Sequence, residues 1–323
     1  MKVCHYNKLM IKTFDILVAG EINPDLILTG DVTPEFGQVE KLVDSAVLTI
    51  GSSSAIFACG AARLGLRVAF ISVCGDDTFG RFMLDELSGR GVDISSVIID
   101  PALQTGLSVI LNRRIGSVQG DHAILTHLGA IDCLRAEQVT DEILRQARHL
   151  HIASYFLQTA LQPGLPDLFE RAHILGLTTS LDPNWDPSVT WYALNGLLDR
   201  VDVFLPNENE AKALTGASTA EAAAEALGRK CGLVAVKLGA RGALVCRGEE
   251  VARTEALPVQ VVDTVGAGDS FDAGFLSGWL KGWDLEKVLR LGVVCGSLST
   301  HAAGGTSAQP GLEEAIKYVL SAG

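Results

Sequence analysis

The sequence predicts an α/β fold: a mainly parallel sheet with helices packed on both faces. Three observations lead there. Short runs of Val, Ile, Leu, Phe and Ala, bounded by Gly, Pro, Asn or Asp, recur along the chain and read as buried strands. Stretches with apolar residues three or four apart separate them and read as helices. Alternation of the two implies parallel strands joined by helical crossovers. At 323 residues with 48% apolar content, the chain can bury a large core.

Phe14 to Gly20 reads as a buried strand stopped by glycine, and Ser53 to Leu64 as a small-residue helix ended by Gly65. Ser53 or Ser54 is the expected N-cap of that helix. Val68 to Val73 is a strand, followed by the turn Gly75 to Gly80 and a helix to about Leu87. Leu107 to Asn112 and Ala123 to Thr126 alternate enough to form a hairpin-like pair. Ala136 to Arg148 reads as an amphipathic helix, His149 to Ser154 as strand, Pro166 to Leu175 as helix and Thr178 to Leu181 as strand. Val201 to Leu205 is strand, Glu208 to Leu214 helix closed by Gly216, and Ala220 to Leu227 helix. Leu233 to Leu238 and Ala243 to Arg247 are strands, and from Ser270 the chain is mainly helical to Leu320, broken near Gly304-Gly305. Two segments richer in β character, around 24–48 and 103–128, interrupt the rhythm.

A net charge of −12 argues against a nucleic-acid surface. No apolar run reaches the length of a membrane span, and residues 1–12 carry no long apolar segment of a signal peptide. The seven cysteines include no C-x-x-C pair, which weighs against zinc and fits buried thiols in a reducing cytoplasm.

The chemistry concentrates in Asp263-Thr-Val-Gly-Ala-Gly-Asp-Ser-Phe271. Beyond it, Phe271, Phe275 and Trp279 recur at helical spacing. Gly266 and Gly268 at a helix start let several N–H groups converge with the positive end of the helix dipole, a place that attracts phosphate. Asp269 beside that cradle is placed to take a proton from a hydroxyl during phosphoryl transfer. The plainer alternative is a helix entry with Asp269 as its N-cap.

The segment resembles the C-terminal signature of the ribokinase-like (PfkB) family of carbohydrate and nucleoside kinases. The resemblance covers roughly 14–320, leaving 1–13 as an N-terminal extension and 14–321 as one kinase domain. It implies a three-layer α/β/α sandwich whose central sheet is mostly parallel, with a small β lid formed by segments 24–48 and 103–128. It also implies that Asp269 is the base and that the backbone of Gly266, Ala267 and Gly268 forms an anion hole.

Further segments match. Gly20-Glu-Ile-Asn-Pro-Asp25 closes the first strand, where Asn23 and Asp25 suit a pair of sugar hydroxyls or, more plainly, an Asx turn. Gly51 to Gly65 resembles the N-terminal signature, and Gly51, Ser52 and Ser53 offer backbone N–H groups to the acceptor. Ser52 departs from the usual second glycine, and Ile56 stands where Asn is usual, which removes a polar side chain from the expected sugar site. Asp182-Pro-Asn184 is similar to the family's D-x-N segment, which implies acceptor binding by Asn184. Asn207-Glu-Asn-Glu210 is similar to its N-x-x-E motif, in which Asn207 and Glu210 arrange hydrated Mg²⁺ and phosphate; read alone, it is a helix cap. Val236 to Gly242 resembles the nucleotide loop, with Gly239 and Gly242 allowing backbone approach and Lys237, in place of the frequent Thr, offered to a phosphate. Thr264 joins the nucleotide residues by the same resemblance. Asp263, with 302–306, corresponds to the loop for a monovalent cation such as K⁺.

His149 and His151 fall on one strand face and are expected to pack or reach solvent, and Gly75 to Arg81 lacks the Lys and Ser/Thr of a P-loop. A second phosphate on the acceptor would need basic partners, and only Arg113-Arg114 stand out in the lid region. The expectation is a cytoplasmic, Mg²⁺- and ATP-dependent kinase acting on a primary hydroxyl of a small sugar or sugar-like molecule. The alternatives are a nucleoside kinase of the same fold and an inactive sugar- or nucleotide-binding sensor. Neither nucleic acid nor membrane is an expected partner, and the resemblance admits a homodimer.

Overall fold

A computed structural model describes residues 12–320 except 116–117, 192–193 and 195, and the side chains of 114–122 also lie outside the description. The N-terminal extension and the side chain of Arg114 therefore fall almost wholly outside it. In chain order the strands are β1 (Ile16–Ala19), β2 (Pro24–Gly30), β3 (Ser45–Ile50), β4 (Val68–Ile71), β5 (Val73–Gly75), β6 (Ile98–Asp100), β7 (Leu107–Ile115), β8 (Val118–His127), β9 (His149–Ile152), β10 (Thr178–Leu181), β11 (Val203–Phe204), β12 (Val234–Lys237), β13 (Ala243–Arg247) and β14 (Glu250–Thr254). The helices are α1 (Ser53–Arg63), α2 (Thr78–Gly89), α3 (Asp141–Leu144), α4 (Leu165–Ile174), α5 (Glu208–Thr215), α6 (Ala220–Gly228), α7 (Ala267–Leu280), α8 (Leu285–Ser299) and α9 (Leu312–Leu320).

The main sheet has eight strands in the order β14-β13-β12-β11-β10-β9-β1-β4. Pairing is parallel from β4 to β12 and antiparallel through β13 and β14. Alternation along β1 shows how the sheet divides the interior. Ile16 and Val18 join one apolar cluster with Phe57 of α1, Phe275 of α7 and Leu289 of α8. Leu17 and Ala19 join the other with Leu168 and Phe169 of α4 and Leu227 of α6. Successive side chains of a strand point to opposite faces, so a strand buried on both sides, as β1 is, can be apolar throughout. Two cores separated by one sheet make the α/β/α sandwich.

A second sheet, order β3-β2-β7-β8, comes from the two β-rich segments. β2 pairs antiparallel with β3 and parallel with β7, and β7 pairs antiparallel with β8. It stands over the carboxyl edge of the main sheet.

Several local expectations are corrected. The helix expected over 136–148 is broken into a 3₁₀ turn at Ala136–Gln138 and the four-residue α3. The cause is tertiary: the Arg171 guanidinium takes the carbonyls of Ala136 (3.0 Å) and Val139 (3.1 Å), which a continuous helix would use internally. The α1 cap is Ser52 rather than Ser53 or Ser54, its Oγ accepting from the Ala55 N–H at 3.0 Å. α7 begins at Ala267, three residues before the expected start. β14 lies at the sheet edge with mixed exposure, and so lacks the apolar run that marks strands such as β4 and β13.

Candidate active site

The site residues collect because most of the strands carrying them run parallel and end at the same edge of the main sheet. Beyond β1 lie Glu21, Asn23 and Asp25; beyond β10, Asp182 and Asn184; beyond β11, Asn207 and Glu210; and β12 ends on Lys237. With the start of α7 they line one cleft of about 1110 Å³. That is at the upper end of the ~300–1,000 Å³ typical of small-molecule sites.

The turn before α7 is held from behind. Asp263 accepts the N–H of Val265 (3.1 Å) with one carboxylate oxygen and that of Gly304 (3.0 Å) with the other, tying the turn to 302–306. Gly266 has φ +71°, and a Cβ there would lie 2.5 Å from the Gly305 Cα, so both conformation and space require glycine. Of the three N–H groups expected to form the anion hole, that of Ala267 is already given to the Thr264 carbonyl at 3.2 Å. Those of Gly266 and Gly268 have no acceptor among the described residues. Ile56 does not leave a gap in the sugar site; it is buried against Gly266 and Gly305 and props the turn.

Asp269 is the third residue of α7, and its side chain makes no capping bond; Gly266 occupies the N-cap position. The carboxyl is buried, 8% exposed, and faces the cleft. Burial, reinforced by the nearby Asp182 charge, pushes its pKa up to about 8. Such a group is poised near neutrality, as a general base should be.

Behind Asp269 sits an ion cluster that the sequence did not disclose. The Lys237 ammonium lies 2.9 Å from Asp182 and 3.1 Å from Asp272, all three nearly buried. Burial opposes the charge on Lys237, but Asp182 and Asp272 outweigh it and hold the pKa well above the usual lysine range. Burial also opposes ionisation of Asp182, yet Lys237 and a hydrogen bond from Asp272 bring its carboxyl below the usual value. Burial raises Asp272 far above it. The two carboxyl groups thus share one ammonium unequally, Asp182 being the more readily ionised. Lys237 is not a free point charge for phosphate; it fixes the floor of the turn, its Nζ 3.6 Å from where a Gly268 Cβ would stand.

Asn207 and Glu210 form a reciprocal capping box on α5. The Asn207 Oδ1 accepts from the Glu210 N–H at 3.0 Å, and the Asn207 N–H donates to the Glu210 carboxylate at 2.8 Å. Both also line the cleft, so the cap holds them where a ligand passes. Burial and then the Asp182 charge push Glu210 up to about 7.

At the other end, Asn23, Asp25, Ser52, Ser53 and Asn184 line the cleft, whereas Gly51 lies behind Asp25. A Cβ on Gly51 would fall 2.1 Å from the Asp25 Oδ1, so this glycine lets Asp25 take its place. Burial, followed by the charges of Asp263 and Glu21, pushes Asp25 up to about 7. Asn184 adopts φ +54° and donates to Ser53 (2.6 Å) and Ser154 (2.8 Å). Glu21, buried and not foreseen as a site residue, accepts from the Ser54 N–H (3.3 Å), the Ser54 hydroxyl (2.5 Å) and the Ser154 hydroxyl (2.8 Å).

Gly239, Gly242 and Thr264 line the part of the cleft beside the start of α7. Its apolar wall, including Leu257, Pro258, Val261 and Val293, was not foreseen, because it is drawn from a loop and the side of α8 with no motif of their own. His149 and His151 are buried in the sheet and share the Ser180 hydroxyl at 2.7 Å each, and burial pushes both down to about 3. The described cysteines are free thiols, and no described helix is long and apolar enough to cross a membrane.

The family model for pfkB carbohydrate kinases matches residues 13–311. A 2-dehydro-3-deoxygluconokinase of Bacillus subtilis is 32% identical over 88% of this chain and 90% of its own length. An ATP-dependent ribose-1-phosphate kinase of Halopiger xanaduensis is 31% identical over 91% and 94%. A solved structure from E. coli, a putative ribokinase II in complex with ATP and Mg²⁺, superposes with a TM-score of 0.84 at 25% identity, covering 95% of this chain and 99% of that one. With its ribokinase fold, the chain belongs to the pfkB family and is an ATP-dependent carbohydrate kinase.

Proposed function

We propose that this enzyme transfers the γ-phosphoryl group of ATP to a primary hydroxyl of a small sugar or sugar-like acceptor, with Asp269 as general base. The observation that carries the reading is the placement of Asp269. It is a buried carboxyl, pushed up to about 8 by burial, directly after two glycine N–H groups that have no acceptor among the described residues and at the positive end of α7.

The roles divide along the cleft. Asn23, Asp25, Ser52, Ser53 and Asn184 hold the acceptor hydroxyls. Asp269 takes the proton of the attacking hydroxyl. The N–H groups of Gly266 and Gly268 receive the charge that develops on the transferring group, and Ala267 supports the turn. Gly239, Gly242 and Thr264 border the nucleotide, with the Lys237 cluster as their fixed base. Asn207 and Glu210 fit a hydrated Mg²⁺: they are oxygen donors, and a cation would favour the ionised form of the buried Glu210. Such an ion supplies neutralisation of phosphate charge. The loop of Asp263 and 302–306 fits a monovalent cation such as K⁺, since the buried Thr306 Oγ1 has no hydrogen-bond partner there. The smaller sheet acts as a lid that excludes water.

The test is ADP release from Mg-ATP over a panel of sugars, sugar acids and nucleosides, with Asp269→Asn as control. Turnover that requires one acceptor and disappears in the variant supports the kinase reading. Nucleotide binding without turnover on any acceptor would instead indicate a sensor.

A further inference from the structure

The acceptor end of the cleft carries a charge bias and a polarity gradient. It is walled by the carboxyl groups of Glu21, Asp25 and Asp269. Among the described residues, the one basic side chain lining the whole cleft is Lys237, and its charge is matched by Asp182 and Asp272. The other feature at this end that attracts anions, the N-terminus of α1, is already filled: the Glu21 carboxylate accepts from the Ser54 N–H and hydroxyl. Arg113 of β7 is exposed and pairs with Gly30, on the opposite face of the smaller sheet from Ser108 and Ile110. The Lys41 ammonium is engaged by Asp31 (2.7 Å) and Glu35 (3.2 Å).

The inner face of the smaller sheet presents successive rungs across β2, β7 and β8. Register aligns Asp25 with Ser108 and Ser108 with Thr126, and the two hydroxyls lie 3.1 Å apart. The next rung outward is Ile27, Ile110 and Ile124. Hydrogen-bonding groups thus stand near the reacting end and branched alkyl groups beyond them.

We propose, resting on the kinase reading above, that the acceptor is uncharged and two-faced: hydroxyls at the reacting end and an apolar group further out. That is the chemistry of a nucleoside or another glycoside with an apolar aglycone, and not of a sugar acid or sugar phosphate. An anionic acceptor would be placed among the buried carboxyl groups of Glu21, Asp25 and Asp269 with no cation among the described side chains to meet it. A free sugar would leave Ile124, the 54% exposed member of that rung, against water.

The experiment is calorimetric binding, with a non-hydrolysable ATP analogue present, of ribosyl and glucosyl series that differ only at the anomeric carbon. The ribosyl series is ribose, methyl riboside, adenosine, uridine and ribose 1-phosphate; the glucosyl series is glucose, phenyl glucoside and glucose 1-phosphate. 2-Dehydro-3-deoxygluconate is added as an acid. The apolar glycosides of one series should bind about tenfold tighter than its free sugar. The anions should bind about 100-fold more weakly than the best neutral ligand. Adenosine and uridine against methyl riboside distinguish a nucleobase from any apolar aglycone. In Ile110→Lys, which places a cation on the second rung, the ratio of anionic to neutral affinity should rise at least about tenfold. An anion bound as tightly as its neutral counterpart overturns the proposal. So does a free sugar that equals its glycosides, or binding by no neutral ligand at all. Binding in the expected order without ADP release on the same ligands would break the kinase reading and leave this inference standing.

Discussion

The two ends of the cleft are built differently. The phosphoryl end is enclosed: Asp269, Asp272 and Asp182 are buried, Gly266 is wedged against Gly305, and α7 is buried along most of its length. The acceptor end is walled by a thin sheet whose outer strands are partly open, with Val47 51% and Ile124 54% exposed. The difference teaches that, under the proposed roles, the chemical step would rest on groups locked into the core and selectivity on a more open surface.

Substitutions should separate the two ends. The largest effect is expected for Asp269→Asn, which should lower turnover by about 10²–10⁴ while nucleotide still binds; ADP release beside equilibrium binding checks it, and near-normal turnover would remove the base role. The same residue sets a pH dependence. Asp269 titrates near 8 in the fold and near 3.8 unfolded, so only its ionised form accepts a proton and kcat/KM should climb as pH rises through about 8. Its contribution to stability has the opposite sense. The fold holds the proton more tightly, so stability is fully present below about 4 and is lost as pH rises toward 8. Asp269→Asn should flatten both dependences, and unchanged curves would show that another group titrates.

Lys237→Met comes next. It leaves the Asp182 carboxylate buried without its cation and should cost about 3–5 kcal/mol in urea unfolding. Adding Asp182→Asn should recover part of that loss; additive losses would mean that the two do not act as a pair. Gly266→Ala should cost about 1–3 kcal/mol through the left-handed backbone and the contact with Gly305, and should lower turnover with it. A variant as stable as the parent would show that the turn has room to move.

At the acceptor end the effects should be smaller and should leave the fold intact. Ser108→Ala removes one hydroxyl from the inner rung and should raise the acceptor KM by a factor equivalent to about 0.5–1.5 kcal/mol, with the ATP KM and the melting temperature unchanged. Equal changes in both KM values would contradict the division of the cleft into two ends.

Much of the phosphoryl end was legible because its residues are contiguous. Asp263 to Asp269 places the glycines, the helix dipole and the acid within one turn, so the local geometry follows from the string itself. The strands were legible where burial on both faces demanded unbroken apolar runs, as in Val68–Ile71 and most of Ala243–Arg247. The helix expected over 136–148 was not, because Arg171 reaches in from α4 and takes its carbonyls. A periodic pattern shows which residues are buried, and short turns can bury Val139, Leu144 and Ala147 as well as a helix does.

By itself, then, the sequence determined the layered α/β architecture, the glycine turn with its acid, and the polar residues that end the strands. These depend on the order of neighbouring residues and on the period of apolar ones, and both are local. Only the tertiary structure decided that Lys237 meets Asp182 and Asp272, that Glu21 fills the start of α1, that Ile56 supports the turn, and that a rung of isoleucines lies beyond the Ser108 and Thr126 hydroxyls. Each of these joins residues tens to hundreds of positions apart, and their partners are chosen by how strands align at one sheet edge. Charge and packing at such a meeting point belong to no single segment of the chain.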